Sequence, residues 1–110
     1  MKRYIRSNVQ NKMIAVSQDD LGITLPDRVF LTDNGAYDLE KKGYGGYYAW
    51  VGYAHKGSRS DAKLNREIGR LAYNVVAPAL ADYCNVSEDD VHVDDYINAL
   101  DMYRVYVMQA

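Results

Sequence analysis

The sequence predicts an α+β fold, a small and mostly antiparallel sheet packed against one long helix. Apolar residues recur at helical spacing over 61–83, β-branched and aromatic residues alternate near the C-terminus, and only Pro26 and Pro78 interrupt the chain. With 110 residues, 48% of them hydrophobic and 25% charged, the chain is expected to fold as one domain with one core.

The elements are read in order along the chain. Met13-Ile14-Ala15-Val16 is a short apolar run that ends in the turn-like Ser17-Gln18-Asp19-Asp20. Arg28-Val29-Phe30-Leu31-Thr32 is a second run of strand type, closed by Asp33-Asn34-Gly35, whose residues tolerate positive φ. Tyr37-Asp38-Leu39 fits a strand or a short helix equally well. Residues 43–57 are rich in Gly and Tyr and read as a flexible loop feeding an aromatic strand. In that strand Tyr48 and Trp50 share one face, and Tyr47, Ala49, Val51 and Tyr53 the other.

The long helix runs from about Asp61 to Tyr83, with Leu64, Ile68, Leu71, Ala72, Val75, Ala79 and Tyr83 as its apolar face. Ser60 is placed as its N-cap, Pro78 is expected to kink or split it, and Asn85 to end it. Ser87-Glu88-Asp89-Asp90 resembles a helix start, whereas Val91-His92-Val93 alternates like a strand. Residues 103–108 read as a strand.

Cys84 is the single cysteine, so no intramolecular disulfide forms and a reducing, cytoplasmic setting is expected. No apolar run is long enough to span a bilayer, and the basic start is not followed by a signal-peptide core. Eleven tyrosines stand against one Phe30 and one Trp50, a composition that places hydroxyls at wet edges and interfaces. A net charge of −2 conceals alternating blocks. Residues 1–17 and 41–70 are basic; residues 18–40 and 81–101 are acidic, the last with seven acids and no base.

Catalytic signatures are sparse. The glycines of 43–52 do not meet the dinucleotide fingerprint, and no phosphate-loop motif exists. Cys84, on an apolar helical flank, reads as a small core residue rather than a nucleophile paired with His55 or His92. Asp90, His92 and Asp94 would share a face if the segment were a strand and could then ligate a divalent metal. A solvated acidic edge is the favoured reading there, and no cofactor or metal is assigned. Lys41, Lys42, Tyr44, Tyr47, Tyr48, Trp50, Tyr53, Lys56 and Arg59 combine stacking faces with cations, as a nucleotide or nucleic-acid binding module requires. Glu88, Asp89, Asp90, Asp94 and Asp95 offer a different surface, carboxylates spaced so as to imitate phosphates before a basic protein channel.

Met1-Lys2-Arg3-Tyr4-Ile5-Arg6-Ser7 resembles the opening of small accessory proteins of phages and mobile elements, and the chain is similar in size and acidity to anti-CRISPR and other anti-defence proteins. The resemblance implies stoichiometric binding to a host nuclease complex or capture of a nucleotide signal. The leading expectation is a non-catalytic inhibitor that presents the acidic set to a host protein or ribonucleoprotein. The alternative is nucleotide or nucleic-acid binding by segment 41–59, followed by a small metal-dependent enzyme. A second copy of the chain is a further candidate partner; a membrane is not.

Overall fold

The computed structural model describes residues 12–53, 62–97 and 102–109. The expected cap Ser60, the neighbouring Asp61, and the N-terminal segment that carries the resemblance lie outside these residues.

The architecture follows from one strand. β3 (Gly45–Tyr53) is buried along its whole length. One edge pairs antiparallel with β5 (Met102–Gln109) from Gly45↔Gln109 to Gly52↔Met102. Its other edge is shared end to end by two short strands. β1 (Met13–Ala15) runs parallel beside Gly46, Tyr47 and Tyr48, and β2 (Val29–Thr32) runs antiparallel beside Trp50 through Tyr53. β4 (His92–Ile97) completes the sheet on the far side of β5, with an irregularity between Asp94 and Ile97. The sheet is mostly antiparallel, as expected, with one parallel pairing, that of β1 with β3, which makes it mixed.

Two short helices replace segments that sequence left as turn or ambiguous. α1 (Gln18–Leu21) is a single turn held by a reciprocal capping box between Ser17 and Asp20 and closed by Gly22 at φ 67°. α2 (Tyr37–Lys41) lies over the sheet and buries Leu39. Near the C-terminal block, Glu88–Asp90 forms a 3₁₀ turn capped by Ser87, whose hydroxyl accepts from the Asp89 amide.

β3 alternates as expected. Tyr47, Ala49, Val51 and Tyr53 join Val105 and Val107 under the long helix, while Tyr48 and Trp50 join Met13, Ala36, Leu39 and Met102 beneath α2. Close approach fixes two glycines. A Cβ on Gly46 would stand 1.9 Å from the Val107 carbonyl oxygen, and one on Gly69 would stand 2.7 Å from the Tyr103 hydroxyl.

The long helix is continuous over 62–84 but not uniform. α3 (Ala62–Leu71) passes through a π turn (Ala72–Val76) into α4 (Ala77–Cys84), where the Ala77 amide donates to the Ala72 carbonyl five residues back. Pro78 lacks an amide proton and crowds the carbonyl four residues before it; the wide turn just upstream accommodates both defects without breaking the helix. The turn has a second consequence. One added residue rotates the following face, so the fully buried positions are Val76, Leu80 and Cys84, with Val75, Ala79 and Tyr83 only partly buried. Asn85, at φ 59°, closes the helix as expected, its amide bonding back to Asp82.

This register is open to measurement. Leu80→Ala should destabilise the fold by about 2–5 kcal/mol, since a fully buried side chain is removed. Val76→Ala should lower the melting temperature more than Val75→Ala; the reverse order would mean that the helical face runs straight through Pro78.

Candidate functional site

Cross-strand register brings three chemically unlike side chains into one row on the face of the sheet away from the long helix. Trp50 on β3, Arg104 on β5 and Asp94 on β4 are direct neighbours. The Arg104 side chain lies among them and is only 9% exposed. Its Nε donates to Asp94 Oδ2 at 2.8 Å. Its two terminal nitrogens donate to the two carboxylate oxygens of Asp38, on α2 above, at 2.8 and 2.9 Å. The guanidinium carbon is 5.2 Å from the Trp50 ring centroid and 5.1 Å from that of Tyr106. His92 in turn stacks on Tyr106 at 5.2 Å.

The electrostatics follow from this packing. The Arg104 guanidinium, bonded in a fork, holds the Asp38 carboxyl below its ordinary value, and the Asp38 bond raises the arginine correspondingly. Burial, then the charge of Asp94, pushes the Tyr106 hydroxyl up; burial, then Asp33 and Glu40, does the same to Tyr48. Both phenols are held neutral. The single charge of Arg104 faces two carboxylates, and its Nε and both terminal nitrogens donate to them, so the cluster clamps α2 to the sheet.

The predicted binding residues separate on this frame. Of the aromatic set, Tyr47 and Tyr53 are buried under the long helix, and Tyr48 and Trp50 are buried on the opposite face. They form the core and present no common stacking platform. Tyr44 is exposed, as are Lys41, which lies 5.5 Å from the Tyr37 ring, and Lys42; Lys56 and Arg59 lie outside the described residues. Alternation of aromatics predicted the strand correctly but could not reveal that helices cover both of its faces.

The acidic set divides as well. Glu88, Asp89 and Asp90 are exposed on the 3₁₀ turn. Asp94 is instead bound to Arg104, and for Asp95 only the backbone is described. Because Asp90 precedes β4 rather than lying in it, the Asp90, His92 and Asp94 face does not form. Among the described residues no group of three or more His, Cys, Asp or Glu side chains is placed to hold a metal.

In place of the lost members, the fold supplies acids from elsewhere in the chain. α1 packs on α4, and the 3₁₀ turn packs at the end of α4. Exposed Asp20 thereby lines one groove with Asp82, and the turn that carries exposed Glu88, Asp89 and Asp90 packs on the same helix. Between α1 and α4 lies a groove of about 480 Å³ lined by Asp20, Leu21, Gly22, Ile23, Pro78, Ala79, Asp82 and Tyr83. The Ser17-x-x-Asp20 capping pattern was the signal that could have placed Asp20 on a helix; its approach to Asp82, sixty-two residues later, had no local signal.

Comparison with protein-family models, with curated proteins and with solved structures returns no match. The fold and the site define an α+β protein with a buried ion-pair clamp and an acidic end. Among the described residues no helix is long and apolar enough to cross a membrane.

The clamp makes two predictions. Arg104→Met should cost about 3 kcal/mol, at the lower end for a broken buried ion pair because Asp38, at 61% exposure, stays within reach of water. Asp38→Asn should lower the melting temperature at neutral pH. Since the folded carboxyl titrates below its ordinary 3.8, its contribution is present above that value and is lost as pH falls through the depressed one, so the two melting curves should converge in acid. A gap that persists at pH 2 would assign the loss to packing rather than charge.

Proposed function

We propose that the protein is a non-catalytic interaction protein that docks its acidic end on a basic, nucleic-acid-binding surface of a partner protein. The groove between α1 and α4 is the observation that carries this reading. Asp20 and Asp82 stand on its walls, and Leu21, Ile23, Pro78 and Tyr83 supply apolar lining between them. An arginine or lysine from the partner could lay its aliphatic stem on that lining and its charged head between the carboxylates. Glu88, Asp89 and Asp90 extend the negative surface and would steer a basic partner into place.

Asp20 also serves folding, through the capping box of α1, but Asp82 has no such role. Asp82 lies in the last turn of α4, where the helix dipole disfavours a negative charge, and no basic residue stands there to offset it. A partner that fills its own basic channel with these carboxylates cannot hold nucleic acid there. The reading is thus of a stoichiometric inhibitor of a nucleic-acid-processing complex, in line with the anti-defence resemblance of the sequence.

The test is a pull-down from nuclease-treated host lysate, followed by binding kinetics with the recovered partner. Replacing Asp82, Glu88 and Asp89 with lysine should slow association and weaken binding by roughly tenfold or more, with little change in melting temperature. Added salt should slow the wild-type protein more than the reversed variant. Equal affinity of the two proteins for the partner would remove the acidic end as the interface.

A further inference from the structure

The opposite charge is gathered at the other end of the long helix. Arg28, just before β2, and Lys63, Arg66 and Arg70 on α3 line an open groove of about 810 Å³, together with Leu64 and Glu67. All four basic side chains are exposed. We propose that this groove is a second binding surface, one that holds the phosphate backbone of duplex nucleic acid without reading its sequence.

The geometry of the groove favours that occupant. Lys63, Arg66 and Arg70 follow one face of α3 over seven residues, about 10.5 Å of helix axis. Along the duplex axis each strand carries a phosphate about every 3.4 Å, a density of negative charge that a row of cations can meet. Arg28 joins the lining from beyond α3, its guanidinium 5.4 Å from the Tyr53 ring centroid. Glu67, the carboxylate in the lining, accepts a hydrogen bond from the buried Tyr53 hydroxyl and is drawn toward the sheet. Among the described lining residues four cations stand beside one carboxylate, a positive balance. Arg66 and Arg70, one helical turn apart, repel each other until an anion lies between them.

What the groove lacks narrows the choice. Among the described lining residues Leu64 is the apolar side chain, too little for the aromatic and aliphatic core of a protein interface. The aromatic side chains of β3 are buried, so among the described residues β3 offers these cations no base-stacking face, as a single-strand site would require. Contacts of this kind grip phosphates and leave base edges unread. The surface is independent of the acidic end and is tested without the partner protein.

The experiment is fluorescence anisotropy of a labelled 24-base-pair duplex titrated with the intact protein at several salt concentrations. Binding should be indifferent to sequence, and log K should fall with log salt at a slope of about −3. Arg66→Glu with Arg70→Glu should weaken binding at least tenfold and flatten that slope by about two. The acid-reversed variant at Asp82, Glu88 and Asp89 should bind the duplex at least as well as wild type. If the double glutamate variant melts early, the Arg66→Gln and Arg70→Gln pair takes its place, with an intermediate loss expected. Absence of duplex binding at 50 mM salt, or equal binding by the charge-reversed groove, overturns the proposal. So does tighter binding of poly-glutamate than of duplex, which would point to an acidic protein. Salt-sensitive self-association lost on reversal of either end, without duplex binding, would assign the groove to a second copy of the chain.

Discussion

A single buried cation ties the second face of the sheet together. Arg104 sits in the middle of β5, where an alternating strand would ordinarily place an apolar side chain, and its charge must be met wherever it lies. Asp94 meets it from β4 and Asp38 from α2, while Trp50 and Tyr106 line its flat sides. These contacts specify more than stability. They fix the register of β4 on β5, since a slip of one residue would turn Asp94 to the opposite face and leave Arg104 half paired. They also dock α2, a helix of five residues that could not persist by itself. Two further contacts lock the same layer: the Trp50 indole donates to the Gly35 carbonyl, and the Met13 amide donates to Glu40.

The other face is held by conventional burial, with a helix that bends its own rules. The π turn accommodates Pro78 and moves the buried stripe by one position, so that Leu80 and Cys84 reach the core. Tyr103 reaches the helix because Gly69 leaves room for its ring. The small side chains Ala72, Ala77 and Ala81 let the helix lie close to the sheet along the remaining length. Between the two packed layers β3 loses all access to solvent, which is why its tyrosines and tryptophan serve as core.

Charge is distributed along the long helix with little regard for folding. Cations line its first half and carboxylates its end, against the preference set by the helix dipole. At about 1.5 Å per residue, the centres of the two surfaces lie about 20 Å apart along the helix. On the two readings proposed above, the carboxylates would face a basic protein and the cations nucleic acid, and each surface would disfavour the other's target.

Composition and local pattern determined the fold class, the strands at 13–16, 28–32 and 103–108, the alternation of β3 and the existence and end of the long helix. Those features depend on neighbours within a turn or a strand, where period and capping chemistry act directly. The one-residue rotation beyond Val76 was invisible, because a proline signals a defect without saying whether the helix breaks, kinks or widens around it. Asp94 read as a free acid alongside Asp90, since nothing local links it to Arg104 ten residues later or links Arg104 to Asp38. The aromatic segment read as a platform because alternation reports which side chains share a face, and only the packing of α2 and the long helix decides that both faces are covered. Both charged surfaces likewise join residues distant in the chain, Asp20 with Asp82 and Arg28 with Arg66. Their approach is a property of how the elements stack, and stacking is set by the shape of the whole core rather than by any segment of it.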